Sequence, residues 1–267
     1  MMLPASVRYL AIACSCCWAV LVGQPVNAEE VHPLQEALEL CESAHREMVR
    51  TITDYEATLV KRERLNGQLR DREVMRIKVR HENKSVAGAE VPFSVHIQFR
   101  HPESAKGREV AYVAGRNKGQ LSVRESRQGL VGKIVPTLML NPKGRLAMQG
   151  NRYPITEIGF EVLLRRLMLV AREEMKLGNC QVQFRKDAKV NGRPCTVIEV
   201  VHPQQDKRFR YHRCRIYLDD ERKCPIHFES YGWPVAKGAE PLLLEQYTYL
   251  DVKTNVGLTD ADFKLKD

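Results

Sequence analysis

Two short runs late in the chain hold residue types that bind soft metals. His212-Arg213-Cys214 and Cys224-Pro225-Ile226-His227 flank a turn at Asp219-Asp220. If Leu218 pairs with Lys223, Cys214 faces His227 across the ladder, with His212 on the same face. Three soft ligands close together is zinc chemistry. Cys224, however, then stands off the cluster, and one C-x-x-H is only half of a zinc motif, so no metal is expected. Asp260-Ala261-Asp262 offers two carboxylates, but Thr259 ahead of them reads as a helix cap, not a calcium loop. Glu199 sits in an apolar strand and is costly to bury alone. Arg213 or Arg215 on the next strand is its expected partner. The chain lacks a G-x-S-x-G elbow, a Walker loop, a dinucleotide fingerprint and an H-E-x-x-H helix. No catalytic residue and no cofactor is expected, and the chain reads as a non-enzyme.

The thiols raise a second question. Met1 to Ala28 reads as a secretory signal: Arg8, then an apolar run from Tyr9 to Gly23, then Val26-Asn27-Ala28 as a peptidase site. Cleavage there removes Cys14, Cys16 and Cys17 and leaves Cys41, Cys180, Cys195, Cys214 and Cys224. In an oxidising compartment one or two disulfides are expected, with at least one thiol left over. A tight turn at Asn191-Gly192 sets Cys195 opposite Ala188. At ~3.3 Å per residue that is far from Cys180, and a Cys195–Cys214 bridge fits a simple ladder somewhat better. The connectivity stays open at this level.

The elements around these residues are legible from period and punctuation. Pro33 to Asp54 carries Leu34, Leu38, Cys41, Met48 and Ile52 at helical spacing, a stripe suited to lie on a sheet. Tyr55 to Arg64 and Asp71 to Glu82 form a hairpin about Asn66-Gly67. Phe93 to Arg100, Arg108 to Ala114 and Gln120 to Arg124 add three strands. Gln128 to Asn151, apolar and broken by Gly and Pro, is a candidate flap over a cavity, with a plain edge hairpin as the simpler reading. Thr156 to Leu177 is a second helix, with Thr156 as N-cap. Its apolar arc, from Phe160 and Leu164 through Leu167 and Met168 to Leu169 and Val170, is wider than one buried side requires. Five strands close the chain between Cys180 and Leu250. The net charge of +9 favours acidic partners or simply a solvated basic surface.

Three blocks then carry a resemblance: Tyr153-Pro154-Ile155-Thr156-Glu157-Ile158-Gly159; Asn191-Gly192-Arg193-Pro194-Cys195 with Ile198-Glu199-Val200; and Tyr247-Thr248-Tyr249-Leu250 with Asn255 to Phe263. Across nearly all of the mature chain they resemble an uncharacterised family of exported bacterial proteins, similar to the LolA-like envelope carriers. The resemblance implies an α+β, mainly antiparallel fold: a curved sheet or half-barrel with helices packed on its concave face. It implies one such domain over 29–267 and a Cys180–Cys195 disulfide. It implies no catalytic residues.

The expected protein is thus exported, periplasmic or envelope-bound, and holds a lipid, an acyl chain or a lipoprotein in an apolar cleft. Peripheral membrane contact is expected and nucleic acid is not. Phe160, Leu164, Leu167, Met168, Leu138 and Leu140 are the expected lining, and Lys133, Lys143 and Arg145 a basic mouth. The alternative is an envelope scaffold whose core fills itself and whose basic face binds a partner.

Overall fold

In the computed structural model, residues 31–84, 90–126, 136–178 and 180–265 are described. Alternating apolar residues build the sheet. In the first long strand, Tyr55, Ala57, Leu59, Lys61 and Glu63 point inward and are buried, while the residues between them are half-buried on the outward face. The strands in chain order are β1 (Asp54–Leu65), β2 (Gln68–Leu69), β3 (Glu73–Arg80), β4 (Asn83–Lys84), β5 (Glu90–Val91), β6 (Ser94–His101), β7 (Glu109–Val113), β8 (Leu121–Arg124) and β9 (Leu138–Leu140), then β10 (Gln181–Val190), β11 (Arg193–Val201), β12 (Arg213–Asp219), β13 (Pro225–Gly232) and β14 (Leu242–Thr254). The helices are α1 (Leu34–Thr51), α2 (Arg145–Met148) and α3 (Phe160–Glu174).

Twelve strands form one antiparallel sheet in the order β10-β11-β12-β13-β14-β1-β3-β6-β7-β8-β9, with β2 on the end of β1; β4 and β5 pair separately. Neighbours in this order are mostly neighbours in sequence. The exception is the centre, where β14 returns to β1 with Leu59 opposite Tyr249 and Glu63 opposite Glu245. Two hairpins turn on Asn-Gly, with φ of 49° and 79° at Asn66-Gly67 and 49° and 78° at Asn191-Gly192. Positive φ at both central positions is the type I′ turn, whose twist matches that of the strands.

The helices cover the concave face. Leu34, Ala37, Leu38, Cys41, Ala44 and Met48 of α1 join Phe160, Leu163, Leu164 and Met168 of α3 and the inward residues of the strands in one core. The second helix starts at Phe160, not at Thr156. Gly159 takes φ 110°, and a Cβ there would stand 3.0 Å from the Tyr55 hydroxyl. That hydroxyl accepts a hydrogen bond from the Phe160 N–H at 3.2 Å, and the two rings stack at 4.1 Å. Thr156 lies instead in a short 3-10 turn, Ile155–Glu157. The breadth of the apolar arc is accounted for by packing on two sides, α1 and the sheet, although Leu169 remains 57% exposed.

The C-terminal tail locks onto the outward face. The Asp54 carboxylate accepts N–H bonds from Val256 and Leu258 at 2.7 and 3.2 Å. Thr259 and Asp262 form a reciprocal capping box, the role expected of Thr259. Asp260 pairs with Arg80 and Arg116, Asp262 pairs with Lys78, and Phe263 lies beneath the Arg80 guanidinium.

Candidate functional site

Among the described residues an apolar cleft opens in the interior of the sheet. It lies between α1, α3 and the concave face of β11, β12 and β13. Leu34, Ala37, Leu38 and Cys41 line it from α1; Leu167, Met168, Val170, Ala171 and Glu174 from α3; Ile198, Val200, Cys214, Ile216 and Phe228 from the strands; and Tyr211 from the loop before β12. The cavity measures about 50 Å³. Small side chains make it: two alanines and two cysteines stand where larger residues would meet. Leu167, Val170, Ala171 and Cys214 are only half-buried although they lie within regular elements.

The cleft is built to hold neutral groups. Burial pushes the Cys41 thiol up to about 12, with the Glu42 charge adding to it. Burial also pushes Cys214 well above the ordinary thiol range. Both stay protonated and are poor nucleophiles or soft-metal ligands at neutral pH. At the rim, burial raises the Glu174 pKa against the pull of the Arg210 N–H, which its Oε1 accepts at 3.1 Å. Its other oxygen stands 3.5 Å from His202 Nε2. His202 donates Nδ1–H to the Tyr211 carbonyl at 3.0 Å, and burial lowers its pKa. Geometry alone would make this an ion pair, but burial shifts each pKa in the direction of its neutral form.

A second buried group lies further along the concave face. Tyr247 Oη is 2.5 Å from Glu63 Oε1 and 3.1 Å from Glu245 Oε2. Ser230 donates to Glu245 at 3.1 Å, and Arg152 donates its N–H to Glu63 at 2.9 Å while its guanidinium is 3.4 Å from Glu245. Lys61 joins Glu63 to Glu73. Glu245 is fully buried and Glu63 4% exposed, so two carboxylates here do not face a substrate. They tie the Arg152 segment to the sheet.

The expected lining divides. Leu167 and Met168 line the cleft. Phe160 and Leu164 are fully buried in the core beside it, Phe160 wedged between Tyr55 and Tyr249. Leu138 and Leu140 do not reach it. They lie on β9, the opposite edge of the sheet from β10, and Leu138 is 47% exposed. Lys143 and Arg145 are exposed on the loop and short helix between β9 and α3 and line no part of the cleft, so they form no mouth. Lys133 and the rest of residues 128–135 of the expected flap lie outside the described residues. Sequence reasoning missed the rest of the lining, Ala37 and Glu174 among it. The signal of these two was faint: a small and an acidic residue on helices whose large residues drew attention.

The thiol and metal readings resolve by register. Ala188 pairs with Cys195, and Gln181 pairs with Val201. Cys180 and Cys195 therefore occupy opposite ends of the β10–β11 ladder. Both are free, and the Cys180–Cys195 bridge implied by resemblance is corrected. Cys195–Cys214 fails as well, because Cys195 pairs with Asp219 while Cys214 pairs with Val200, five residues along the ladder. Tyr217 pairs with His227 and Cys214 with Ser230. An odd shift from the assumed register moves His227 to the outward face while Cys214 stays inward. No group of three metal ligands forms among the described residues. Glu199 does pair with Arg215, which also holds Glu229 at 3.1 Å.

Together these features define an open antiparallel sheet with helices on its concave side and an apolar cleft beneath them. Residues 52–267 match the family described as a protein of unknown function (DUF1571), and the chain belongs to that family. No curated protein matches it. Among solved structures it is similar to a LolA superfamily protein from Nitrosomonas europaea (12% identity, 84% of this chain and 97% of that one, TM-score 0.31). It is also similar to a DUF1329 family protein from Desulfovibrio piger (12%, 87% and 98%, TM-score 0.39) and to the Pseudomonas aeruginosa MucA/MucB complex (16%, 86% and 61%, TM-score 0.47).

Proposed function

We propose that the protein is an exported, non-enzymatic envelope protein that holds the acyl chain of a lipid or lipoprotein in the cleft between α1, α3 and β11–β13. The observation that carries this reading is the cleft itself: an apolar space, walled by two helices and a sheet, with half-buried Leu167, Val170 and Ala171 along it. Each methylene leaving water contributes ~0.8 kcal/mol. The cavity of about 50 Å³ is well below the ~300 Å³ of a small-molecule site, so a chain enters only as the helices move off the sheet. Export rests on the Met1 to Ala28 signal. Among the described residues no helix is long and apolar enough to cross a membrane.

Native mass spectrometry of the protein purified from its own envelope tests the reading. An adduct of lipid mass that denaturation releases is expected. A clean unliganded mass, together with no uptake of a fluorescent fatty acid, would sink it.

The small cavity volume favours one other reading, an envelope scaffold with a self-filled core. Salt-sensitive capture of an acidic partner with no lipid retained is the result that would favour it.

A further inference from the structure

The outward face of the sheet carries a concentration of arginine that the protein itself does not neutralise. Arg62 and Arg64 lie on β1, Arg70 and Arg72 in the turn to β3, Arg76 on β3 and Arg100 on β6. The register gathers them. Thr58 pairs with Arg76 and Arg76 with Gln98, so Arg100 lies diagonal to Arg76. Arg72, Val74 and Arg76 step by two along one face, while Met75 and Ile77 between and beyond them are buried in the core. Arg62 follows Val60, which pairs with Val74.

None of the six is ion-paired among the described residues. The nearby carboxylates are engaged elsewhere: Glu63 and Glu73 face Lys61 on the inner side. Asp71 is exposed within the patch, Glu109 accepts from Gln98 at 3.2 Å, and Glu103 beyond Arg100 is held by Lys106 at 3.1 Å. The contrast with the rest of the same face is sharp. Lys78, one step along β3, is held by Glu56 and Asp262 at 3.4 and 2.7 Å, and Arg80 is held by Asp260 at 2.7 Å. Two of the six are also fixed in place by main-chain oxygens. Arg64 donates to the carbonyls of Leu243 and Gly67, both at 2.8 Å, and Arg62 to that of Arg70 at 3.4 Å.

Two features indicate what the patch meets. All six are arginine and none is lysine. A face that needed only solubility has no use for the guanidinium fork, whereas the fork matches phosphate oxygens two at a time. The arginines also lie on the convex side of the sheet, and none of them lines the apolar cleft. They cannot enclose one small anion but can lie against an extended anionic surface.

We propose that this face docks on a phospholipid bilayer through the phosphate groups of anionic lipids. The proposal does not depend on the cleft holding a ligand.

Vesicle co-sedimentation of the purified protein tests it. Vesicles of phosphatidylcholine alone are compared with the same vesicles containing phosphatidylglycerol. Selective binding to the anionic vesicles is expected, lost as salt rises from about 0.05 to about 0.5 M. The triple variant Arg72→Gln, Arg76→Gln, Arg100→Gln changes exposed side chains only. It is expected to weaken binding about tenfold or more with an unchanged melting temperature. A control triple, Arg145→Gln, Arg185→Gln, Lys189→Gln, removes the same charge elsewhere and should bind as the parent does. Equal loss in both triples would reduce the effect to net charge and overturn the proposal. So would binding to soluble polyphosphate but not to vesicles, or binding indifferent to phosphatidylglycerol.

Discussion

Glu174 Oε2 lies 3.5 Å from His202 Nε2 at the rim of the cleft, and the two side chains are 6% and 2% exposed. Burial drives each toward its neutral form, from opposite sides of the pH scale. The Glu174 pKa is raised above its ordinary 4.5, so its contribution to stability is complete below that value and is lost as pH rises through the folded value. The His202 pKa is lowered from 6.5, so its contribution is present above 6.5 and is lost as pH falls. Glu174→Gln keeps a group of the same shape that cannot ionise. Its melting temperature relative to the parent should climb as pH rises above about 4.5. Parallel melting curves for the two proteins across that range would refute the assignment.

Acid should weaken the outward face of β12 and β13. Burial alone would raise the Glu229 pKa, but hydrogen bonds from His227, Tyr231 and Arg215 outweigh it and hold it at about 2. Because the folded value is depressed, this stability is present above the ordinary 4.5 and disappears as pH falls toward 2. Glu229→Gln should cost stability at neutral pH and little near pH 2. Denaturant melts at the two pH values check this, and an equal cost at both would contradict it.

Phe160 is the keystone between α3 and the sheet. It is fully buried, stacked on Tyr55 at 4.1 Å and edge-on to Tyr249 at 4.7 Å. Phe160→Ala should lose ~3–5 kcal/mol in urea denaturation. A loss below ~1 kcal/mol would mean that the helix repacks without it.

Ala171 lines the cleft and is half-buried. Ala171→Phe introduces a ring too large for a cavity of about 50 Å³. The variant should lose fatty-acid uptake while giving up only ~1–3 kcal/mol of stability. Full uptake in a folded variant would place the ligand elsewhere.

The five thiols of the described chain are free. Reducing agent should therefore leave the melting temperature of the purified protein unchanged. A fall on reduction would reveal a bridge between cysteines that the register keeps apart.

The residues differ in how much they disclosed in advance. Asn66-Gly67 and Asn191-Gly192 announced their hairpins because a turn with two positive φ values accepts few other pairs. The Glu199–Arg215 pair and the Thr259 cap followed from local cost: a half-buried carboxylate and an open helix end each need a partner nearby. The start of α3 was misplaced because Thr156 is a good cap by type, while the actual start is set by Gly159 against Tyr55, about a hundred residues away. The cleft was half legible. Leu167 and Met168 follow from helical period, but Leu138 and Leu140 were joined to them by apolarity alone, and strand order puts β9 at the far edge. Register misled at one hairpin: a slip of an odd number of residues exchanges the faces of a strand, and the assumed pairing put His227 and Cys214 on one face. The arginine patch was invisible for the same reason. Its members become neighbours only once β1, β3 and β6 are aligned.

The pairing of β14 with β1 sets the order in which the molecule can be made. Leu59 meets Tyr249 across that ladder, a loop of some 190 residues closed at the middle of the sheet. Contacts so distant in sequence slow the search for the native state. A growing polypeptide that has not yet released Leu242–Thr254 cannot seat Tyr247 or Tyr249 in the core, and leaves one flank of β1 unpaired. Maturation is thus a late, whole-chain event, and helper proteins that shield strand edges should accelerate its yield more than its final stability.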